Sequence, residues 1–311
     1  MTDTHARAVR FDGYGGLDVL YVMDIPMPVP AAGEVVVAVR AAGINPGEAK
    51  IRNGSLHAVF PATFPSGEGT DLAGVVTAVG PDVDGFAPGD EVLGWSWTRS
   101  SHATHTAVPA GQLIPKPPQL SWEVAGSLCV VGTTAYAAVR AVDAHRGETV
   151  AVSAAAGGVG SVTVQLLALR GVRVLGIAST ANADWLAAHG AVPVIRGDGL
   201  RERLLAAAGP GGVDAFIDLY GPEYLDLAVE LGVPANRVDT IVVTDRARQL
   251  GVRTDGHAHG STTEIMAELA GLIAGGSLEL PIAATYPLDR VADAFAELER
   301  GHTRGKIVLV P

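Results

Sequence analysis

The chain has 311 residues, a length that fits about two domains, and its 48% hydrophobic content is enough for two buried cores. A formal net charge of −11, with no run of Lys and Arg, argues against nucleic acid or an anionic membrane as partner. A single cysteine, Cys129, excludes a disulfide framework and any all-cysteine metal cage.

Residues 1–7 lack the apolar stretch of a secretory leader, and no later window holds about 18 uninterrupted apolar residues, so a cytoplasmic protein is expected. Short β-type runs follow at 6–11, 34–41, 74–79, 91–94 and 105–108, broken by turn residues, the texture of a small β-barrel. Trp95 and Trp97 flank Ser96; on a strand both would point to one side and could line an aromatic pocket. His102 and His105 have His-x-x-His spacing, but the following residues look extended, so they are read as surface or pocket-rim histidines rather than metal ligands. Cys129, beside Leu128 and Val130, reads as a buried, inert thiol.

From about residue 121 strands and amphipathic helices alternate, the pattern of a parallel sheet. Strands are expected at 150–153, 172–178, 192–195 and 213–219, and helices at 159–170, 182–189 and 200–208. Near 270 the pattern loosens. A helix over 288–299 and a last strand over 306–309 follow, and that strand is expected to pair with the N-terminal domain.

Ser153-Ala154-Ala155-Ala156-Gly157-Gly158-Val159-Gly160 lies where the first parallel strand turns into its helix. Glycine there lets the backbone approach a pyrophosphate, and the helix start offers free N–H groups to its oxygens. About 20 residues on, an NAD site usually places Asp or Glu against the ribose hydroxyl. Here stand Ala178, Ser179, Thr180, Ala181 and Asn182, with no carboxylate before Asp184. A 2′-phosphate meets no like charge, so NADPH is expected over NADH, with Ser179 and Thr180 as hydroxyl partners and Arg196 as the cation.

Several blocks in order carry a family likeness. Ala41-Ala42-Gly43-Ile44-Asn45-Pro46, Gly69-Thr70-Asp71-Leu72-Ala73-Gly74, Gly89-Asp90-Glu91-Val92, Thr133-Thr134-Ala135-Tyr136, the glycine turn and Gly305-Lys306-Ile307-Val308-Leu309 resemble the zinc-independent quinone oxidoreductase (zeta-crystallin-like) branch of the medium-chain dehydrogenase/reductase superfamily. The resemblance implies a GroES-like β-barrel catalytic domain over 1–120 and 283–311. It implies a Rossmann doubly wound parallel sheet over 121–282, a cofactor in the cleft, and a homodimer. It places Asn45 and Thr133 beside the nicotinamide and Ala156, Gly157, Gly158 and Val159 on the phosphates. After Asn45-Pro46 the family often carries Asp and then Tyr or another pocket residue, whereas this chain has Gly47, Glu48, Ala49 and Lys50, so substrate preference is its own. The stretch 237–259 matches the family pattern poorly.

Alcohol oxidation is disfavoured, because the cysteine ligands of a catalytic zinc are missing and no Lys stands four residues after a Tyr. Hydride transfer to a quinone or an α,β-unsaturated carbonyl demands less: the phenolate or enolate formed has a reference pKa of about 10, so water can protonate it. The side-chain amide of Asn45 would stabilise that anion or fix the nicotinamide, and Glu48, Lys50, Trp95 and Trp97 would line the acceptor pocket; no metal takes part. Two alternatives stand: an enoyl or alkenal reductase with a dedicated biosynthetic substrate, and a non-enzymatic NADP-binding sensor.

Overall fold

A computed structural model of the chain describes residues 4–242, 244–255 and 262–311. Residues 1–3 of the start, and 243 and 256–259 of the stretch that matches the family poorly, lie outside the described residues. Contacts divide the chain into two compact units. The first comprises Met1–Val130, Thr262–Ser277 and Ile282–Pro311; the second comprises Val131–Ser261 and Leu278–Pro281. The first unit is thus wider than the 1–120 and 283–311 expected.

In chain order the first unit opens with β1 (His5–Phe11), β2 (Tyr21–Pro26), β3 (Glu34–Gly43), the short helix α1 (Pro46–Arg52), β4 (Ser66–Gly67), β5 (Asp71–Val79), β6 (Glu91–Trp95), β7 (His105–Pro109), β8 (Leu113–Pro115) and α2 (Trp122–Ala125). Helix α3 (Leu128–Ala141) leads out of it. Strand β6 ends at Trp95, so Trp97 does not continue its alternation, and the expectation that the two indoles share a strand face fails. The pleat puts Val35, Val37, Leu72, Val76, Val92, Val108 and Leu113 into one apolar core. Helix α1 starts where Asn45 is N-cap, Pro46 stands in its first turn and Glu48 closes a capping box, three choices that satisfy or remove orphan N–H groups.

The second unit runs β9 (Thr149–Val152), α4 (Gly158–Leu169), β10 (Arg173–Ala178), α5 (Ala183–Ala188), β11 (Ala191–Ile195), α6 (Leu200–Ala208), β12 (Ala215–Asp218), α7 (Pro222–Glu230), β13 (Val238–Thr240) and α8 (Asp245–Leu250). Its strands pair in parallel in the order β11-β10-β9-β12-β13. Every strand of β9, β10 and β12 is almost fully buried, as a sheet covered on both faces requires. The order reverses at β9, the switch point where open α/β sheets bind ligands beyond the carboxyl ends of their strands.

The chain returns to the first unit through α9 (Thr263–Ala274), β14 (Ile282–Pro287), α10 (Val291–Glu299) and β15 (Lys306–Val310). The ordered helix α9, with Met266, Leu269 and Ala270 buried on one face, corrects the loosened pattern expected near 270. Strand β15 pairs in parallel with β14 and antiparallel with β3, matching Val308 to Gly43 and Leu309 to Ala42. Val291, Ala294 and Phe295 of α10 then cover Ile307, Leu309, Val9 and Ile44.

Candidate functional site

In the first unit the pairing of β15 with β3 brings the Lys306 ammonium to Asn45. Lys306 Nζ donates to Ile44 O (2.9 Å) and Asn45 Oδ1 (2.5 Å) and lies 3.4 Å from Asp71 Oδ2. Asn45 Nδ2 donates to Asp71 Oδ2 (3.1 Å) and Glu48 Oε1 (3.3 Å). With a cation on one side of the amide and two carboxylates on the other, only this orientation of the asparagine is favourable. Glu48 also accepts from Asn45 N at 2.8 Å and Thr70 N at 2.9 Å. Asp71 accepts from Val130 N at 2.8 Å. All four side chains are buried. Burial pushes the Glu48 and Asp71 carboxyls upward, while Lys306 and the N–H donors pull them back.

Beyond Glu48 lie Glu68, His102 and Arg52, each at most 2% exposed. His102 Nε2 faces Gly43 O at 3.4 Å and Glu48 Oε2 at 3.9 Å. Burial holds its imidazole down at about 4, so the ring is neutral, and burial together with the neighbouring Glu48 pushes Glu68 up to about 8. Arg52 spans Glu68 (3.6 Å) and the partly exposed Glu299 (2.8 Å). Gly69, at φ +93°, sits where a Cβ would be 2.3 Å from the His102 ring, so only glycine lets that imidazole enter.

Donor atoms of Glu48, Glu68 and His102 lie within 4.8 Å of one another, the one such triplet among the described residues. They do not fit a catalytic zinc: all three are sealed from solvent, whereas a catalytic ion needs an open coordination position, and the Arg52 guanidinium 3.6 Å from Glu68 would set a like charge beside the ion.

In the second unit Ser153 follows β9, and Ala154 turns the backbone at φ +47°. Gly157 is the N-cap of α4, with no side chain capping the helix. Its first-turn N–H groups are therefore left for an outside acceptor. A Cβ on Gly160 would sit 2.2 Å from Ala154 O, so the glycine is what lets the turn fold down onto the helix. These features fit a dinucleotide pyrophosphate. At the end of β10, Ser179 Oγ accepts from Asn182 Nδ2 (3.2 Å), Thr180 is exposed, and the backbone N of the exposed Arg196 donates to Ala178 O (3.0 Å).

Of the other site expectations, Thr133 is buried on α3, and Ala156, Gly157, Gly158 and Val159 form the turn and first residues of α4. The four expected pocket residues do not gather. Glu48 and Trp95 are interior, Trp97 is 58% exposed and meets Trp95 edge-to-face, and Lys50 lies with Gly15, Pro46, Asn53 and Leu298 on a cavity of about 300 Å³. Helical spacing explains Glu48 and Lys50: two residues apart, they face opposite ways. His102, expected at the surface or a pocket rim, is fully buried, because Val9 N bonds its carbonyl and Ala103 bridges to Ala8. Cys129 is buried as expected, and burial raises its thiol well above its ordinary value. Sequence reasoning assigned no role to Asp71, Lys306, Glu68 or Asp218, although Asp71 and Lys306 lay inside the blocks that carried the resemblance.

Residues 31–146 match the alcohol dehydrogenase GroES-like domain, and residues 189–309 the family described as zinc-binding dehydrogenase. The quinone oxidoreductase of Mus musculus is 29% identical over 98% of this chain and 97% of its own. The quinone oxidoreductase of Coxiella burnetii superposes with a TM-score of 0.88 at 29% identity, covering 99% of each chain. That of Escherichia coli, solved with NADPH, superposes at 0.81 with 25% identity, covering 98% of this chain and 100% of that one. The barrel and the five-stranded parallel sheet define an oxidoreductase of the medium-chain class. Within it, this chain belongs to the quinone oxidoreductase branch. The sensor alternative gives way accordingly. Among the described residues no helix is long and apolar enough to cross a membrane.

Proposed function

We propose that the protein is an NADPH-dependent, zinc-free reductase that transfers a hydride to a quinone or another activated α,β-unsaturated carbonyl. The observation that carries the cofactor choice is the carboxyl end of β10. Ser179, Thr180 and Asn182 stand there with Arg196 beside them and no carboxylate, next to a helix start without a side-chain cap. A 2′-phosphate gains hydroxyl and guanidinium partners and meets no like charge. The complex of the Escherichia coli relative with NADPH supports the same reading.

The bound nicotinamide would supply the hydride. This chain's own contribution is to orient the reactants and exclude water. Ala156, Gly157, Gly158 and Val159 would hold the phosphates. Thr133 would meet the nicotinamide, and Asn45, in the first unit, would act by position. Both of its amide hydrogens are already given to Asp71 and Glu48, and its oxygen accepts from Lys306, so an acceptor anion would have to displace a carboxyl group to use the amide. Water completes the protonation. The sealed cluster around Glu68, with the Arg52 cation 3.6 Å away, supports chemistry without a metal. A cytoplasmic homodimer completes the reading, checked by light scattering.

Parallel fluorescence titrations with NADPH and NADH test the cofactor, followed by steady-state turnover with quinones and enals. Tighter NADPH binding and a hydroquinone or saturated carbonyl product are expected. Preference for NADH, or no turnover with either acceptor class, would overturn the reading.

A further inference from the structure

Asp218 ends β12 in the second unit and is fully buried. Its Oδ1 accepts from Ser153 Oγ (2.8 Å), Tyr220 N (3.0 Å) and Gly221 N (3.1 Å), and its Oδ2 accepts from Thr240 Oγ1 (2.8 Å). Ser153 Oγ accepts in turn from Leu219 N at 2.8 Å. One carboxylate therefore joins the carboxyl ends of β9, β12 and β13. Burial raises its carboxyl above the ordinary value, and only N–H and O–H donors oppose that shift. A buried acid held by dipoles alone is costly. The sheet does not need it to set strand order, because β9, β12 and β13 already pair through their backbones.

What the carboxylate adds is at the two turns. Ser153 is the residue from which the phosphate turn departs, and Tyr220 and Gly221 form the turn between β12 and α7. We infer that Asp218 is a positioning residue for the cofactor, clamping the phosphate turn to the β12–α7 turn so that both present their backbones at one fixed spacing. The inference rests on the cofactor reading above. It goes further by assigning a role to a side chain that itself touches no cofactor. Ser153 is its arm, and Thr240 fixes the carboxylate's second oxygen.

The test compares Asp218→Asn, Asp218→Ala and Ser153→Ala. The amide of Asp218→Asn keeps one oxygen for Ser153, Tyr220 and Gly221, while Thr240 can turn its hydroxyl to accept from the new N–H group. NADPH affinity is therefore expected within about threefold of wild type. Asp218→Ala is expected to weaken NADPH binding by about tenfold or more, and Ser153→Ala by about threefold to tenfold, with kcat at saturating cofactor and the acceptor KM close to wild type. A role confined to stability would lower the melting temperature without this split between cofactor KM and kcat. Wild-type NADPH affinity in a folded Asp218→Ala or Ser153→Ala variant would overturn the inference, as would an Asp218→Asn variant as weak as Asp218→Ala. Hydrogen exchange of residues 154–160 in the cofactor-free protein separates the two readings. Faster exchange in Ser153→Ala supports the clamp even if the wild type binds no NADPH; unchanged exchange refutes the clamp whatever the cofactor proves to be.

Discussion

The two units bury polarity in opposite ways. Around Asn45 the first unit gathers ionisable side chains, two carboxyl groups beside Lys306 and a third, which keeps its proton, beside Arg52, inside a barrel core. Around the glycine turn the second unit relies on backbone N–H groups, hydroxyls and one carboxylate without a cationic partner. A cluster of charges is rigid because each member is intolerable without its partner. A lining of dipoles stays receptive, because helix-start N–H groups remain unspent until a ligand arrives. The first arrangement suits orientation of reacting groups, and the second suits reversible binding of a charged cofactor.

The largest expected break in this contrast is Lys306→Met. It leaves Asp71 buried without its cation and Asn45 Oδ1 without its donor, and should cost about 3–5 kcal/mol in denaturant unfolding. A smaller loss would mean that Asp71 simply takes up a proton. Next comes Ser179→Asp, which puts a carboxylate where the dipole-lined site has none. NADPH affinity should fall by about tenfold or more while NADH affinity holds or rises, read from parallel titrations. Equal effects on both cofactors would move the 2′-phosphate elsewhere.

Glu68→Gln sharpens the comparison through pH. The folded chain raises Glu68 from an ordinary 4.5 to about 8, so across that window it keeps a proton that the unfolded chain has released. Its contribution to stability is complete below the lower value and drains away as pH rises through the upper one. Melting curves should therefore show Glu68→Gln gaining on wild type by about one to a few kcal/mol between pH 5 and 8, with no further gain above. A constant difference over that range would assign the proton to another group. The smallest effect belongs to Trp97→Ala, expected within about 0.5 kcal/mol because the indole is mostly exposed.

What could be read in the sequence was local. The run 34–41 and the turn from Ser153 to Gly160 carry their own periodicity and glycines, and β3, β9 and α4 form there. The Asn45-Pro46-Gly47-Glu48 capping box was legible too, and would have turned Glu48 inward to its own helix end rather than toward a substrate. Strand β2, with no fully buried residue, and β14, alternating only half-buried and exposed positions, left too weak an apolar signal. The burial of His102 depends on the bridge of Ala103 to Ala8, and the contacts of Lys306 with Asn45 and Asp71 span 261 and 235 positions, distances that no window along the chain contains. The Asp218 clamp was hidden for the same reason: Ser153 and Asp218 become neighbours only because β12 lies next to β9.

The pairing of β15 with β3 also sets an order of assembly. A chain leaving the ribosome can complete the five-stranded sheet of the second unit while the first still lacks its final strand. Until Lys306 emerges, Asp71 has no cation and Asn45 no ammonium on its carbonyl. A chain that lacked β15 would carry an intact parallel sheet and an unfinished barrel with an uncompensated acid in its core. Strand β15 thus closes the sheet of the first unit and neutralises its buried acid in a single step.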